Sequence, residues 1–278
     1  MDLFPSKIEG PVAVIGDVHG QVDKLQEILR QLRSLPDFND RWIIFIGDLV
    51  DRGPNPAGAT QMVLDLLESH TRVACLCGNH ELAMCGALHL FPPPEYAEWD
   101  QRWVNHYDSH TTFASYGADF GDMPGLLAAM PDQHKAFYMN LPWCIEHPDY
   151  LFVHAGLEAH QPYAMQVGIL HARDYTLTRP PWLCSKTLVT SPVPADSPVT
   201  IVSGHVKVPE VAIGDRRLLI DTTGGLDGEL SCVLLPENVV ISSGSTAPTE
   251  IRRSEPPAPE QAPVAWGSDE ARPWWKIW

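Results

Sequence analysis

Val12-Ala13-Val14-Ile15-Gly16-Asp17-Val18-His19-Gly20 decides how this chain is read. The β-branched run reads as a short buried strand, and a carboxylate and an imidazole follow directly where that strand ends. The pattern returns at Trp42-Ile43-Ile44-Phe45-Ile46-Gly47-Asp48-Leu49-Val50-Asp51-Arg52-Gly53, and again at Val73-Ala74-Cys75-Leu76-Cys77-Gly78-Asn79-His80-Glu81. Two more histidines arrive in the same setting, His154 after Leu151-Phe152-Val153 and His205 after Ile201-Val202-Ser203-Gly204. Five strand ends thus present carboxylate, imidazole or amide oxygen, the ligand types of a two-metal hydrolase.

Residues at the carboxyl ends of neighbouring parallel strands converge on one crevice. Asp17 and His19 are two apart, so an extended segment would set both side chains on one side. Taken singly, each residue has a plainer reading. An aspartate after a strand ordinarily makes a turn or a helix cap, Asn79 would cap a helix, and His154 would be a satisfied core histidine. Those readings would have to coincide at five strand ends, so the joint reading outweighs them. For the remaining eight of the twelve histidines the plain reading stands. Among these, only His106 and His110, four apart in an aromatic stretch, are weighed for substrate contact.

Periodicity supplies the architecture. Gln21 to Leu35 reads as a helix with Val22, Leu25, Ile28, Leu29 and Leu32 on one face. A second helix runs from Pro54 or Pro56 to about His70. The alternation of strands with these helices predicts a right-handed α/β unit. The second half reads mostly as strand, at Leu151 to Val153, Val199 to Ser203, Val211 to Ile213, Arg217 to Asp221 and Leu230 to Leu235. The expected fold class is α/β, two stacked mixed β-sheets flanked by helices.

The blocks GDVHG, GDLVDRG and GNHE, followed by VHAG and GH, resemble the calcineurin-like metallophosphoesterase superfamily, and within it the phosphoprotein phosphatase branch, bacterial type. The symmetrical dinucleoside tetraphosphatases have very similar blocks. The resemblance runs from about Val12 to Leu235 and implies a four-layer α-β-β-α sandwich. It implies that Asp17 and His19 bind a first metal, that Asp48 bridges two, and that Asn79, His154 and His205 complete the second. His80 resembles the leaving-group acid, oriented by Asp51, and Arg52 the phosphate clamp. For a second clamp arginine the resemblance offers Arg173, on the strength of the dipeptide Arg173-Asp174 alone. The terminal motif of the eukaryotic phosphatases is absent, so their regulatory interactions are not implied.

The chemistry calls for these groups in its own right. Hydrolysis of a phosphate monoester is among the slowest uncatalysed reactions in biology. Two divalent cations neutralise the oxygens and make hydroxide available at pH 7, and an arginine fork donates to the equatorial oxygens. A histidine beside a carboxylate can protonate the departing alkoxide. The expectation is in-line attack by metal-bound hydroxide with no phosphoenzyme, on phosphoserine, phosphothreonine or phosphotyrosine in proteins. Dinucleoside tetraphosphate is the second substrate reading, and an aromatic clamp in residues 85–143 would favour it where an open cleft would favour phosphoprotein. A non-catalytic scaffold is the third. The donor set suits manganese, with iron or zinc as alternatives.

Composition agrees with a single catalytic domain of residues 1–240, interrupted by a helical aromatic-rich insertion at about 85–143. The 278 residues are 44% hydrophobic, and the formal charge of −16 argues against a nucleic-acid-binding surface. The cysteines read as reduced core residues, and no apolar run approaches the length of a membrane span. The start lacks the pattern of a signal peptide, so a cytoplasmic location is expected. Arg179 to Pro198 reads as a Pro-rich, non-periodic loop. From about Ser242, Ser, Thr, Pro, Glu and Ala dominate, as in a flexible linker over 241–278. Its end, Arg272-Pro273-Trp274-Trp275-Lys276-Ile277-Trp278, is read as a segment that docks back on the catalytic domain or engages a partner.

Overall fold

The computed structural model describes residues 3–251. The first unit is the expected one. Strands β1 (Val12–Ile15), β2 (Trp42–Phe45) and β3 (Val73–Cys75) lie parallel, joined through helices α1 (Val22–Arg33) and α2 (Pro56–Ser69). All four residues of β1 are buried, because helices and a second sheet cover its two faces. Helix α2 begins where the sequence places it: the Asn55 side chain accepts from the Gly58 amide, and Pro56 fills the first turn.

Chain order then leaves the sheet for the insertion. Helix α3 (Asn79–Ala87) starts directly behind β3 and packs on α4 (Trp99–His106); the short helices α5 (His110–Ser115), α6 (Met123–Ala129) and α7 (Asp132–Met139) follow. Most of the insertion's rings, Phe91, Trp99, Trp103 and Phe113 among them, are buried in one cluster with the sheets, so they extend the main core and form no separate one. Gly86 permits this: a Cβ there would meet the Trp99 ring at 2.4 Å.

A second sheet is built from β4 (Cys144–Glu146), β5 (Tyr150–Val153), β6 (Thr200–Ser203), β7 (Ala212–Gly214) and β8 (Arg217–Leu219), in the order β4-β5-β6-β8-β7. Its centre, β5-β6-β8, is parallel, and both edges are antiparallel. The chain then returns to the first sheet with β9 (Ser231–Leu235) antiparallel to β1, followed by β10 (Val239–Ser242) and β11 (Thr249–Glu250). The result is a six-stranded and a five-stranded mixed sheet with helices around them, as the pattern predicts.

Three expectations change. The second half contains helix α8 (Tyr163–Ala172), whose residues are apolar on nearly every side, so no amphipathic period marks it. The stretch after Arg179 is not wholly irregular, since it holds α9 (Pro181–Cys184) and a 3₁₀ turn at Lys186–Val189. The boundary at residue 240 falls inside β10, and the first sheet continues to Glu250. The Trp-rich end lies outside the described residues. Among the described residues no helix is long and apolar enough to cross a membrane.

Candidate metal centre and active site

The five ligand-bearing strand ends meet at one place, and the backbone there is bent hard. His19, Asp48, Asp51, Arg52 and His205 all have positive φ, from 45° to 69°. Non-glycine residues in this region carry strain that a fold tolerates mainly at functional positions. His19 is therefore not in an extended segment, as its spacing from Asp17 suggested. A left-handed turn after β1, not strand alternation, aims its ring inward.

Asp48 is the hub. Its Oδ2 lies 3.3 Å from His154 Nε2, 3.6 Å from His19 Nε2 and 3.9 Å from His80 Nε2. The Asn79 Oδ1 is 3.1 Å from His154 Nε2 and 2.8 Å from His205 Nδ1. Ligand atoms thus gather in two overlapping groups, His19-Asp48-His80 and Asp48-His154-His205. Asp17 is fixed beside them, its Oδ2 accepting the His205 amide at 2.9 Å. Close backbone approach makes this possible. A Cβ on Gly204 would come within 2.0 Å of Asp17 Oδ1, and one on Gly78 within 2.0 Å of Asp48 Oδ1.

A second layer sets the orientation of these groups. His19 Nδ1 bonds the Val50 carbonyl at 2.7 Å and His154 Nδ1 the Ile46 carbonyl at 2.9 Å, so both rings turn Nε2 inward. The buried Glu81 carboxylate accepts the amides of Gly78, Asp48, Leu49 and Val50. His80 Nδ1 is 2.8 Å from Asp51 Oδ2; Asp51 also accepts from Trp103 Nε1 at 2.9 Å and Thr112 Oγ1 at 2.6 Å.

Burial dominates the electrostatics. It lifts the Asp51 carboxyl to about 8 and lowers His80 to about 3. Asp17 is raised by burial and by the neighbouring Asp221. Burial would raise Asp48 too, but the imidazoles of His154, His80 and His19 hold it well below the usual carboxylate range. Burial would lower His154, yet the carboxylates of Asp48 and Asp17 lift it to about 10.

These residues fit divalent cations. Asp17 Oδ1, Asp221 Oδ2 and His205 Nε2 are buried without a hydrogen-bond partner. Oxygens and inward-facing imidazole nitrogens crowd together where only a proton or a cation can separate them. Asp221 is a residue of the cluster that the ligand-bearing motifs do not include. It follows strand β8 as Asp17 follows β1, and that placement is the one signal it gave.

A cavity of about 710 Å³ opens on the cluster, lined by Arg52, Asn79, His80, Tyr107, His205 and Asp221 among others. Arg52 Nη1 donates to the Gly224 carbonyl at 2.9 Å and stands 3.1 Å from His19 Nε2. Arg173 is elsewhere. It borders a separate small cavity with Phe4 and Trp143, and its Nη1 reaches the Leu141 carbonyl at 3.4 Å. Arg173 itself ends helix α8 in a left-handed cap, and Arg179, six residues later, lines the active cavity together with Arg52 and Arg102. His106 also lines it, whereas His110 does not.

The sequence matches the calcineurin-like phosphoesterase model over residues 10–231. The chain belongs to the calcineurin-like phosphoesterase family. Within this family it is 27% identical over 162 residues to the Shewanella-like protein phosphatase 1 of Plasmodium berghei, covering 54% of this chain and 40% of that one. It is 42% identical over 77 residues to the serine/threonine-protein phosphatase SIT4 of Candida albicans, covering 27% of this chain and 24% of that one. The chain thus spans less than half the length of these phosphoesterase relatives. Its fold is that of the cold-active protein-tyrosine phosphatase of a psychrophilic Shewanella, with TM-score 0.53, 19% identity and coverage of 90% of this chain and 83% of that one.

Proposed function

We propose that this chain is a dinuclear-metal phosphomonoesterase that removes phosphate from serine, threonine or tyrosine in proteins. The observation that supports it is the convergence of Asp48, Asn79, His154 and His205 beside a cavity that Arg52 also lines. Asp17, His19 and Asp48 would hold one cation, and Asp48, Asn79, His154 and His205 the other, with manganese the ion we favour. Such cations supply charge neutralisation at the phosphoryl oxygens and a hydroxide available near neutral pH.

The chain's own residues do the rest. Arg52 donates to the equatorial oxygens and orients the phosphorus for in-line attack. His80 gives the proton at Nε2 to the departing oxygen while the proton shared with Asp51 moves onto Nδ1. Trp103 and Thr112 hold Asp51 so that this relay stays aligned. No side chain has to be phosphorylated on the way.

We favour protein over dinucleotide as the substrate, and the lining of the cavity supports this reading. The insertion contributes Arg102, His106, Tyr107 and Asp108 to it, and the Tyr107 ring stands edge-on to His80 at 4.9 Å. No pair of rings is arranged among the described residues to clamp a base there. The test is kcat/KM on a phosphothreonine peptide and on diadenosine tetraphosphate, side by side, after chelator stripping and manganese addition. A large preference for the peptide is expected. A preference for the dinucleotide would replace the protein reading with phosphoanhydride hydrolysis, and silence on both would return the chain to the scaffold reading.

A further inference from the structure

Cations collect on the outer part of the cavity in a chain whose formal charge is −16. Arg102, Arg179 and Lys186 all line it. Arg102 comes from helix α4 in the insertion, and the other two flank helix α9. Among the described residues none of the three lies within ion-pair distance of a carboxylate, although Asp108 and Asp227 share the rim. Lys207 differs, being paired with Asp227.

Arg102 is built into place and is not a solvated surface charge. It is 8% exposed, its guanidinium lies 4.3 Å over the Trp99 ring, and it donates to the Ala97 carbonyl at 3.3 Å and the Thr178 carbonyl at 3.4 Å. These partners are neutral, so they orient the charge without cancelling it. Burial and the like charge of Arg179 both work against the charged form of Arg102. The Tyr107 hydroxyl interacts with Arg102 and with Asn79, tying this group to the metal-ligand cluster. Placing like charges together in a half-buried rim costs free energy that an arriving anion offsets.

We propose that Arg102 and Lys186, beside Arg179, form a second anion subsite that receives an acidic flank of a phosphorylated protein, a carboxylate or second phosphate near the scissile one. The assignment rests on the phosphoprotein reading above. An extended peptide suits the open rim, where Arg179 and Lys186 are exposed and Leu226 is 73% exposed beside them.

The test compares kcat/KM on two phosphothreonine peptides that differ only in Glu against Gln at the flanking positions, using the full chain loaded with manganese. A preference of roughly fivefold to tenfold for the Glu peptide is expected, the size that one or two rim charges supply. It should shrink as salt rises from 0.05 to 0.5 M, by screening. In Lys186→Gln and in Arg102→Gln the ratio between the peptides should fall towards one. Arg102 is buried, so if that variant does not fold, the exposed Lys186→Gln decides. Equal rates on both peptides in the wild type would overturn the subsite while leaving the phosphoprotein reading intact. A wild-type preference unchanged in Lys186→Gln would overturn it too. Hydrolysis of p-nitrophenyl phosphate or diadenosine tetraphosphate with neither peptide cleaved would overturn the subsite and the phosphoprotein reading together.

Discussion

The Glu81 carboxylate, in the first turn of helix α3, accepts the Asp48 backbone amide at 2.8 Å, and with it the amides of Leu49, Val50 and Gly78. One buried side chain therefore fixes the loop that carries the Asp48 carboxylate, and joins it to the helix that carries Asn79 and His80. Burial, with Asp48 nearby, raises the Glu81 carboxyl to about 7, a tension those four donors partly relieve.

Glu81→Gln tests this link. The amide can keep one accepting oxygen but brings two donors into a place lined by donors, so two backbone amides lose their partner. Unpaired buried groups cost about 1–3 kcal/mol each. The expected result is a folded protein whose manganese affinity, measured by titration calorimetry, falls about 10- to 100-fold, as for other residues that orient ligands. Unchanged affinity would show that the loop holds without Glu81.

Gly204→Ala probes the same packing from the opposite side. Its Cβ would fall 2.0 Å from Asp17 Oδ1 and 2.8 Å from Ile46 Cγ2, so the carboxylate must move. We expect retention of the circular-dichroism spectrum with a lower metal content per chain than the unsubstituted protein by elemental analysis. An unchanged metal content would mean that Asp17 is not held where the structure places it.

Arginine substitutions separate the two readings of the second clamp. Arg52→Ala and Arg179→Ala should each lower kcat/KM on a phosphothreonine peptide by about 10²-fold, as for loss of a transition-state donor. Arg173→Ala, whose guanidinium faces the Leu141 carbonyl, should leave kcat/KM within about twofold, as substitutions outside the site do. A large loss at Arg173 alone would restore the sequence-based assignment.

Much of the site was readable because its parts are local. Asp17, Asp48, Asn79, His154 and His205 each close a β-branched or aliphatic run, and parallel pairing carries such ends to one crevice. Asp51 and His80 were readable for the same reason, though their support was not. Trp103 and Thr112 lie far along the chain and reach Asp51 only through the fold of the insertion. The dipeptide at Arg173 carries no period or turn chemistry to place its side chain, and the structure sets it beside Leu141 instead. Helix α8 leaves no mark in the sequence because a helix apolar all round has no face to detect, and β10 leaves little because three aliphatic residues precede a Ser- and Thr-rich stretch. Left-handed backbone at His19 and Asp48 leaves no mark in composition, since neither is glycine.

Acid stability supplies a prediction away from the metal ligands. His134 is buried on helix α7, with Nδ1 2.7 Å from the Tyr116 hydroxyl and Nε2 3.0 Å from Gln61 Oε1. Its pKa is lowered by burial, with Asp65 opposing. The folded state therefore binds this proton less readily than the unfolded chain, whose histidine titrates near ~6.5. Stability from this residue is fully present above that value and is lost as pH falls from about 6.5 towards the lowered folded pKa. Tm should thus drop on going from pH 7 to pH 5. The drop should be smaller in His134→Gln, which keeps a donor and an acceptor but no titration in this range. Equal drops in the two proteins, followed by calorimetry with chelator present throughout, would assign the acid sensitivity to other groups.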